Sequence, residues 1–153
     1  MNITELREHL CTRYPELCPL FSIEFGDGVL TVPSEQLLEA AADLKELGFD
    51  LFGMITAVDY GEKFELVYRL RSRQIRAGLI VKTRVGREEA HIASVTDLWP
   101  GANWHEREVF DLFGIVFEGH PNLKRILLPD DWVGFPLRKD YEDEGLIRRP
   151  DYL

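Results

Sequence analysis

The sequence predicts an α+β fold: an antiparallel-rich sheet with helices packed on one face, continued by an irregular, extended C-terminal arm. Three observations predict it. Two neighbouring runs, "EKFELVYRLR" and "IRAGLIVKTRV", alternate apolar and polar residues with the period of two that a half-buried strand requires. Nearer the N-terminus, apolar residues recur at helical spacing instead. After Phe117 both periods vanish, although large apolar side chains remain frequent. Residues 1–118 are therefore assigned to an α+β domain and residues 119–153 to its arm.

Taken in order, Ile3, Leu6, Leu10 and Tyr14 fall on one helical face and predict a helix over 3–13. "LFSIEFGDGVLTV" reads as a hairpin turning at Gly26-Asp27-Gly28. Ser34 is placed to cap the next helix. Its buried stripe is Leu37, Ala41 and Leu44, joined by Leu38 and Leu47, and Gly48 ends it. "LFGMITAVDY" supplies a third strand. In the two alternating runs, Phe64, Leu66, Tyr68 and Leu70 face the core, as do Leu79, Val81 and Val85, with a polar turn at Ser72-Arg73-Gln74. The other face of that pair collects Arg69, Arg71, Arg76, Lys82 and Arg84. Such a face is either solvated or a docking face for an acidic partner.

The arm contains Pro121, Pro129, Pro136 and Pro150, which interrupt both ladders and helices. Its Leu123, Ile126, Leu127, Trp132, Val133 and Phe135 are too apolar for a disordered tail. A long segment without regular structure is unusual inside a compact domain. The arm is therefore expected to spend much of its apolar surface on another chain.

Composition narrows the function. With 153 residues and 45% apolar content, the chain has the size of one globular domain. It has no apolar run of the roughly 18 residues a membrane span needs and no secretory leader. A soluble chain that is not secreted is expected. Cys11 and Cys18 lack metal-ligand spacing, and two free thiols in a reducing compartment are expected rather than a disulfide. The net charge is −9, distributed as −8 over residues 1–60, +3 over 61–100 and −4 over 101–153. So acidic a chain is a poor nucleic-acid binder.

Residues 104–120, "WHEREVFDLFGIVFEGH", pack charges among apolar residues. On a helix, Val109, Phe110, Leu112 and Phe113 form the core arc, and Glu106 falls inside it. Arg107 and Asp111, an i,i+4 pair, are expected on the opposite, solvent side with Glu108. A metalloprotease would need a second His four residues after His105, where Val109 stands. A glycosidase pair would need converging carboxylates. Glu106 lies about 200° from Glu108 and about 140° from Asp111 around the helix. The remaining role for Glu106 is to pair, buried, with a basic residue of the arm: Lys124, Arg125, Arg138 or Lys139.

"EREVFDLFGIVFEGHPNLKRIL" resembles the signature of the C-subunit family of NADH-quinone oxidoreductase, the small hydrophilic subunit of respiratory complex I. Glu106, Arg107, Glu108, Asp111, Leu112, Phe113, His120, Lys124, Ile126 and Leu127 fill the family's positions. "FPLRKDY", with Arg138, Lys139 and Asp140, is similar to its next block, and "ITAVDYGEKFELVYRL" to its central strands. Two departures are Phe135, where the family commonly has His, and the end at Leu153, where members often carry a longer extension.

The resemblance implies a non-catalytic scaffold that binds no iron–sulfur cluster, flavin, nicotinamide or metal. It would lie on the cytoplasmic side of the cell membrane, in the peripheral arm, against the large quinone-site subunit. The whole enzyme would pass electrons from NADH to quinone and translocate protons. The signature residues, together with Arg125, would form the docking region. Three alternatives stand beside it: a homologous subunit of a membrane-bound hydrogenase or other donor dehydrogenase, a free-standing acid–base enzyme using Glu106 or His105, and a generic acidic interaction domain.

Overall fold

The computed structural model describes residues 2–143 and 145; the end of the predicted arm, Pro150 included, lies outside the described residues. Helix α1 (Ile3–Arg13) opens on Asn2, whose side chain accepts from the backbone N–H of Thr4 and Glu5 while Glu5 reaches back, a reciprocal cap. Its apolar face buries Leu6 and Leu10, and Tyr14 ends it. The 3-10 turn Pro15–Leu20 then folds back, bringing the Cα atoms of Cys11 and Cys18 to 4.6 Å. The two are joined as a disulfide, which corrects the expectation of free thiols. Their spacing of seven residues conceals a reversal of the chain between them, and that reversal makes the bridge geometrically accessible.

Strands β1 (Phe21–Glu24) and β2 (Asp27–Thr31) form the expected hairpin. Its turn, however, is Phe25-Gly26, both at positive φ, rather than Gly26-Asp27-Gly28. Such a two-residue turn matches the twist of the flanking strands, and the exposed Phe25 accepts the left-handed conformation to make it. Ser34 lies in a 3-10 turn, Ser34–Gln36, and its hydroxyl bonds the Glu35 carboxylate, so it does not cap α2 (Leu37–Glu46). Leu37, Ala40, Ala41 and Leu44 are the buried stripe of α2.

Strands β3 (Leu51–Asp59), β4 (Lys63–Ser72) and β5 (Ala77–Gly86) pair antiparallel. The β4–β5 turn reaches further than its polar residues suggest and takes in Ile75 and Arg76, the latter at positive φ. Beside β5 lies β2, parallel, so the sheet order is β1-β2-β5-β4-β3. The predicted α+β fold class is the one observed. Phe64, Leu66, Tyr68 and Leu70 of β4 are all buried, and α2 packs over Tyr68, Leu70 and Val81. A second, two-stranded parallel sheet joins β6 (His91–Ala93) to β7 (Val116–Glu118) and brackets α3 (Ala102–Phe113). Among the described residues, no helix is long and apolar enough to cross a membrane.

Candidate functional site

Helix α3 is the support of the site. It ends at Gly114, whose φ of 74° suits a left-handed cap. A Cβ at Gly114 would come within 2.5 Å of the Phe135 ring, so glycine here also lets the arm lie flat across the helix end.

Glu106 is fully buried, as its place in the apolar arc predicts, but its hydrogen-bond partners are neutral and none is a basic residue of the arm. Its Oε1 accepts from the Val95 N–H at 2.8 Å, and its Oε2 from the Ser94 hydroxyl at 2.6 Å and the Thr96 hydroxyl at 3.1 Å. Burial pushes its carboxyl above the ordinary value, against the pull of those three donors. Pairing with Lys124, Arg125, Arg138 or Lys139 is thus corrected: Glu106 ties α3 to the loop after β6. Hydrogen bonds to neutral donors satisfy a buried carboxylate without the ordering of a long cationic side chain.

Asp111 takes the role that helical periodicity assigned to Glu106. The expectation of a solvent-facing Arg107–Asp111 pair is also overturned. Asp111 is fully buried because the arm folds over the far side of α3. Its Oδ2 accepts from three consecutive backbone N–H groups, those of Ile126, Leu127 and Leu128, at 2.7–3.1 Å. Its Oδ1 accepts from Arg125 at 2.7 Å. Burial alone would raise this carboxyl, but the Arg125 guanidinium and the three amides outweigh it and hold it below the ordinary range. Arg125 further donates to the carbonyls of Asp111, Trp132 and Gly134, bending the arm into a closed loop. Arg107 donates to the carbonyls of Lys124 and Arg125.

The other predicted residues divide. His120 accepts the Asn122 N–H on Nδ1 at 3.0 Å, so its Nε2 carries the proton toward the Asn103 carbonyl at 3.2 Å. Arg138 lies against the rings of Phe64 and Phe135, and its Nε donates to the Phe113 carbonyl at 2.6 Å. Lys139 contributes its backbone N–H to Asp59, and Asp140 pairs with Arg87. The side chains of Lys124 and Glu108 stay at the exposed surface.

Asp59 and Arg87 also hold the arm, and periodicity missed them. Asp59 is buried at the end of β3 and accepts from Arg87 at 2.7 Å, from the Gly61 N–H at 2.7 Å and from the Lys139 N–H at 2.9 Å. Burial opposes its ionisation, yet the Arg87 guanidinium and the two amides prevail and lower its carboxyl to about 2. An acid closing an apolar strand just before a glycine turn was the available signal. Together, Asp111 and Asp59 latch the arm at two points. The arm still leaves apolar surface bare: Leu127, Val133 and Leu137 are 62%, 86% and 52% exposed, and Trp104 on α3 is 62% exposed. No described side chain from Glu118 to Asp143 is fully buried.

Chemically the region is a shaped surface. Among the described residues, no three His, Cys, Asp or Glu side chains are grouped to hold a metal ion. The family described as the 30-kDa subunit of respiratory-chain NADH dehydrogenase matches residues 30–145. The C-subunit of the NADH-quinone oxidoreductase of Moorella thermoacetica is 49% identical over 134 residues, covering 82% of this chain and 90% of that one. Among solved structures, the trypsin-resistant fragment of Nqo5 superposes with a TM-score of 0.67 at 33% identity, covering 80% of this chain and all of the fragment. A chain of the membrane-bound sulfane sulfur reductase, an archaeal respiratory membrane complex, superposes with a TM-score of 0.83 at 26% identity, covering 98% of both.

Proposed function

This chain belongs to the 30-kDa subunit family of respiratory-chain NADH dehydrogenase, and from that premise we propose that it is a non-catalytic scaffold of NADH-quinone oxidoreductase. It serves as a peripheral-arm subunit, packed against the large quinone-site subunit on the cytoplasmic side of the membrane. The assembly passes electrons from NADH to quinone and translocates protons. The chain adds no redox centre of its own. Its two cysteines are consumed by one disulfide, whereas an iron–sulfur cluster usually takes four thiolates.

One observation carries this reading. The arm is latched to its own domain through polar contacts, yet its Leu127, Val133 and Leu137 side chains stay exposed. Exposed apolar side chains held on a fixed backbone form a surface for a partner. The test replaces Val133 and Leu137 by Asp in the native host and purifies the assembly through the large quinone-site subunit. The double variant should keep the melting temperature of the isolated chain and be depleted at least about tenfold from the assembly, a loss equivalent to about 1.4 kcal/mol. Undiminished co-purification would defeat the proposal.

A second reading is favoured by the 0.83 superposition on the sulfane sulfur reductase chain. The same scaffold then serves a respiratory membrane complex that delivers electrons to an acceptor other than quinone. The redox subunits that co-purify with this chain decide between the two.

A further inference from the structure

The arm and α3 leave the outer face of the five-stranded sheet unused. Strand register fixes which side chains share that face. Across β3, β4 and β5 the rows run Val58–Glu65–Arg84, Thr56–Val67–Lys82 and Met54–Arg69–Ile80. The irregularity between Phe52 and Met54 brings Leu51 beside Arg71 on the same face, and Lys63 lies one row beyond Glu65. Over these three strands five cations, Lys63, Arg69, Arg71, Lys82 and Arg84, stand against one carboxylate, Glu65. This occurs on a chain whose net charge is −9.

The face is also open and partly apolar. Met54 and Val58 are 38% and 40% exposed, and the Arg69 and Arg84 side chains about half exposed at 49% and 53%. Arg84 is committed to Glu65 at 2.8 Å, and Arg69 leans on Asp27 at 3.6 Å. Among the described residues, Lys63, Arg71 and Lys82 make no ion pair. Cations with unspent charge, alternating with bare apolar side chains, suit a surface that offers carboxylates and apolar groups in return.

We propose that this face is a second docking surface, occupied by a neighbouring subunit of the same assembly through a carboxylate-rich patch with apolar residues between its acids. The proposal rests on the reading of the chain as a scaffold subunit. A second copy is the wrong occupant. A twofold contact through this face would set cations against cations, and a contact with the acidic first 60 residues of another copy would be head-to-tail, giving a ring or a filament rather than a closed pair.

The test uses the intact assembly, purified through a tag on this chain and treated with a carbodiimide that joins an amine directly to a carboxylate it touches. Lys63 or Lys82 should be recovered linked to an Asp or Glu of another subunit. Links confined to this chain's own Glu65, links to the N-terminal acids of a second copy, or no links at all overturn the proposal. Lys124 and Lys139 report on the arm in the same digest. An arm linked to a partner beside a silent sheet face defeats this inference alone, whereas silence at all four lysines defeats the scaffold reading as well. In parallel, Arg71→Glu with Lys82→Glu should lower about twofold the salt concentration at which the chain leaves the assembly. An unchanged midpoint overturns the proposal.

Discussion

The body of the molecule and its arm are held by different physics. In the body, burial dominates: the strands of the central sheet place Phe64, Leu66, Leu70 and Leu79 out of water on one face, and the helices cover them. In the arm no described side chain is fully buried, and position is set by directional bonds to Asp111, Asp59 and a few carbonyls. Burial is spread over many residues and tolerates small losses. A polar latch concentrates its strength in a few atoms, and loses it when they are removed.

The largest effect that would break this contrast is expected from Asp111→Ala. It strands the Arg125 guanidinium and three N–H groups, weakening arm attachment by about 4 kcal/mol. Hydrogen exchange at Ile126, Leu127 and Leu128 should become fast while the amides of β4 stay protected. Equal loosening of both regions would mean that arm and body are a single unit.

A smaller effect, in the opposite region, is expected from Glu106→Ala. Ser94, Val95 and Thr96 lose their acceptor, and the melting of the body should fall by the equivalent of about 3 kcal/mol. Glu108→Ala on the same helix should stay within about 0.5 kcal/mol. Chemical denaturation of the two variants side by side measures the difference.

Acid sharpens the comparison further, because Asp59, which holds the arm, and Glu106, inside the body, respond with opposite sign. The carboxyl of Asp59, lowered to about 2, contributes stability that is complete above the ordinary carboxylate range near pH 4 and is lost as pH falls through about 2. That contribution is about 2 kcal/mol. The carboxyl of Glu106 is raised, so its contribution is complete below the ordinary value and is lost as pH rises through the raised one. Proteolysis at pH 2–4 should show the arm loosening in acid, and denaturation of the chain beside Glu106→Gln from pH 4 upward should show the Glu106 contribution fading as pH rises. Asp59→Asn should reduce the acid sensitivity of the arm, and the remainder belongs to Asp111, whose carboxyl is also held below the ordinary range.

What was legible in the sequence follows the same division. Period-two alternation identified β4 and β5 because Phe64, Leu66, Tyr68 and Leu70 face a packed core. Helical spacing likewise placed Glu106 inside α3. Family likeness pointed to Asp111 and Arg138 within a larger docking set, to which Arg125 was joined. Their partners were hidden, since a helical wheel treats the far side of a helix as solvent and knows nothing of an arm laid across it. The disulfide escaped for a related reason: linear spacing does not reveal the reversal at Tyr14-Pro15. The cap at Asn2 went unread, although Asn followed three residues later by Glu just ahead of apolar periodicity is a local signal.

The bond from the Lys139 N–H to Asp59 joins residues 80 positions apart. Of the hydrogen bonds among the described residues it spans the longest stretch of chain, so its closure carries the largest loop-closure cost. During synthesis the ribosome releases that final stretch after the sheet has emerged. Until that bond closes, a newborn chain offers its ribbon to an arriving subunit as readily as to its own body.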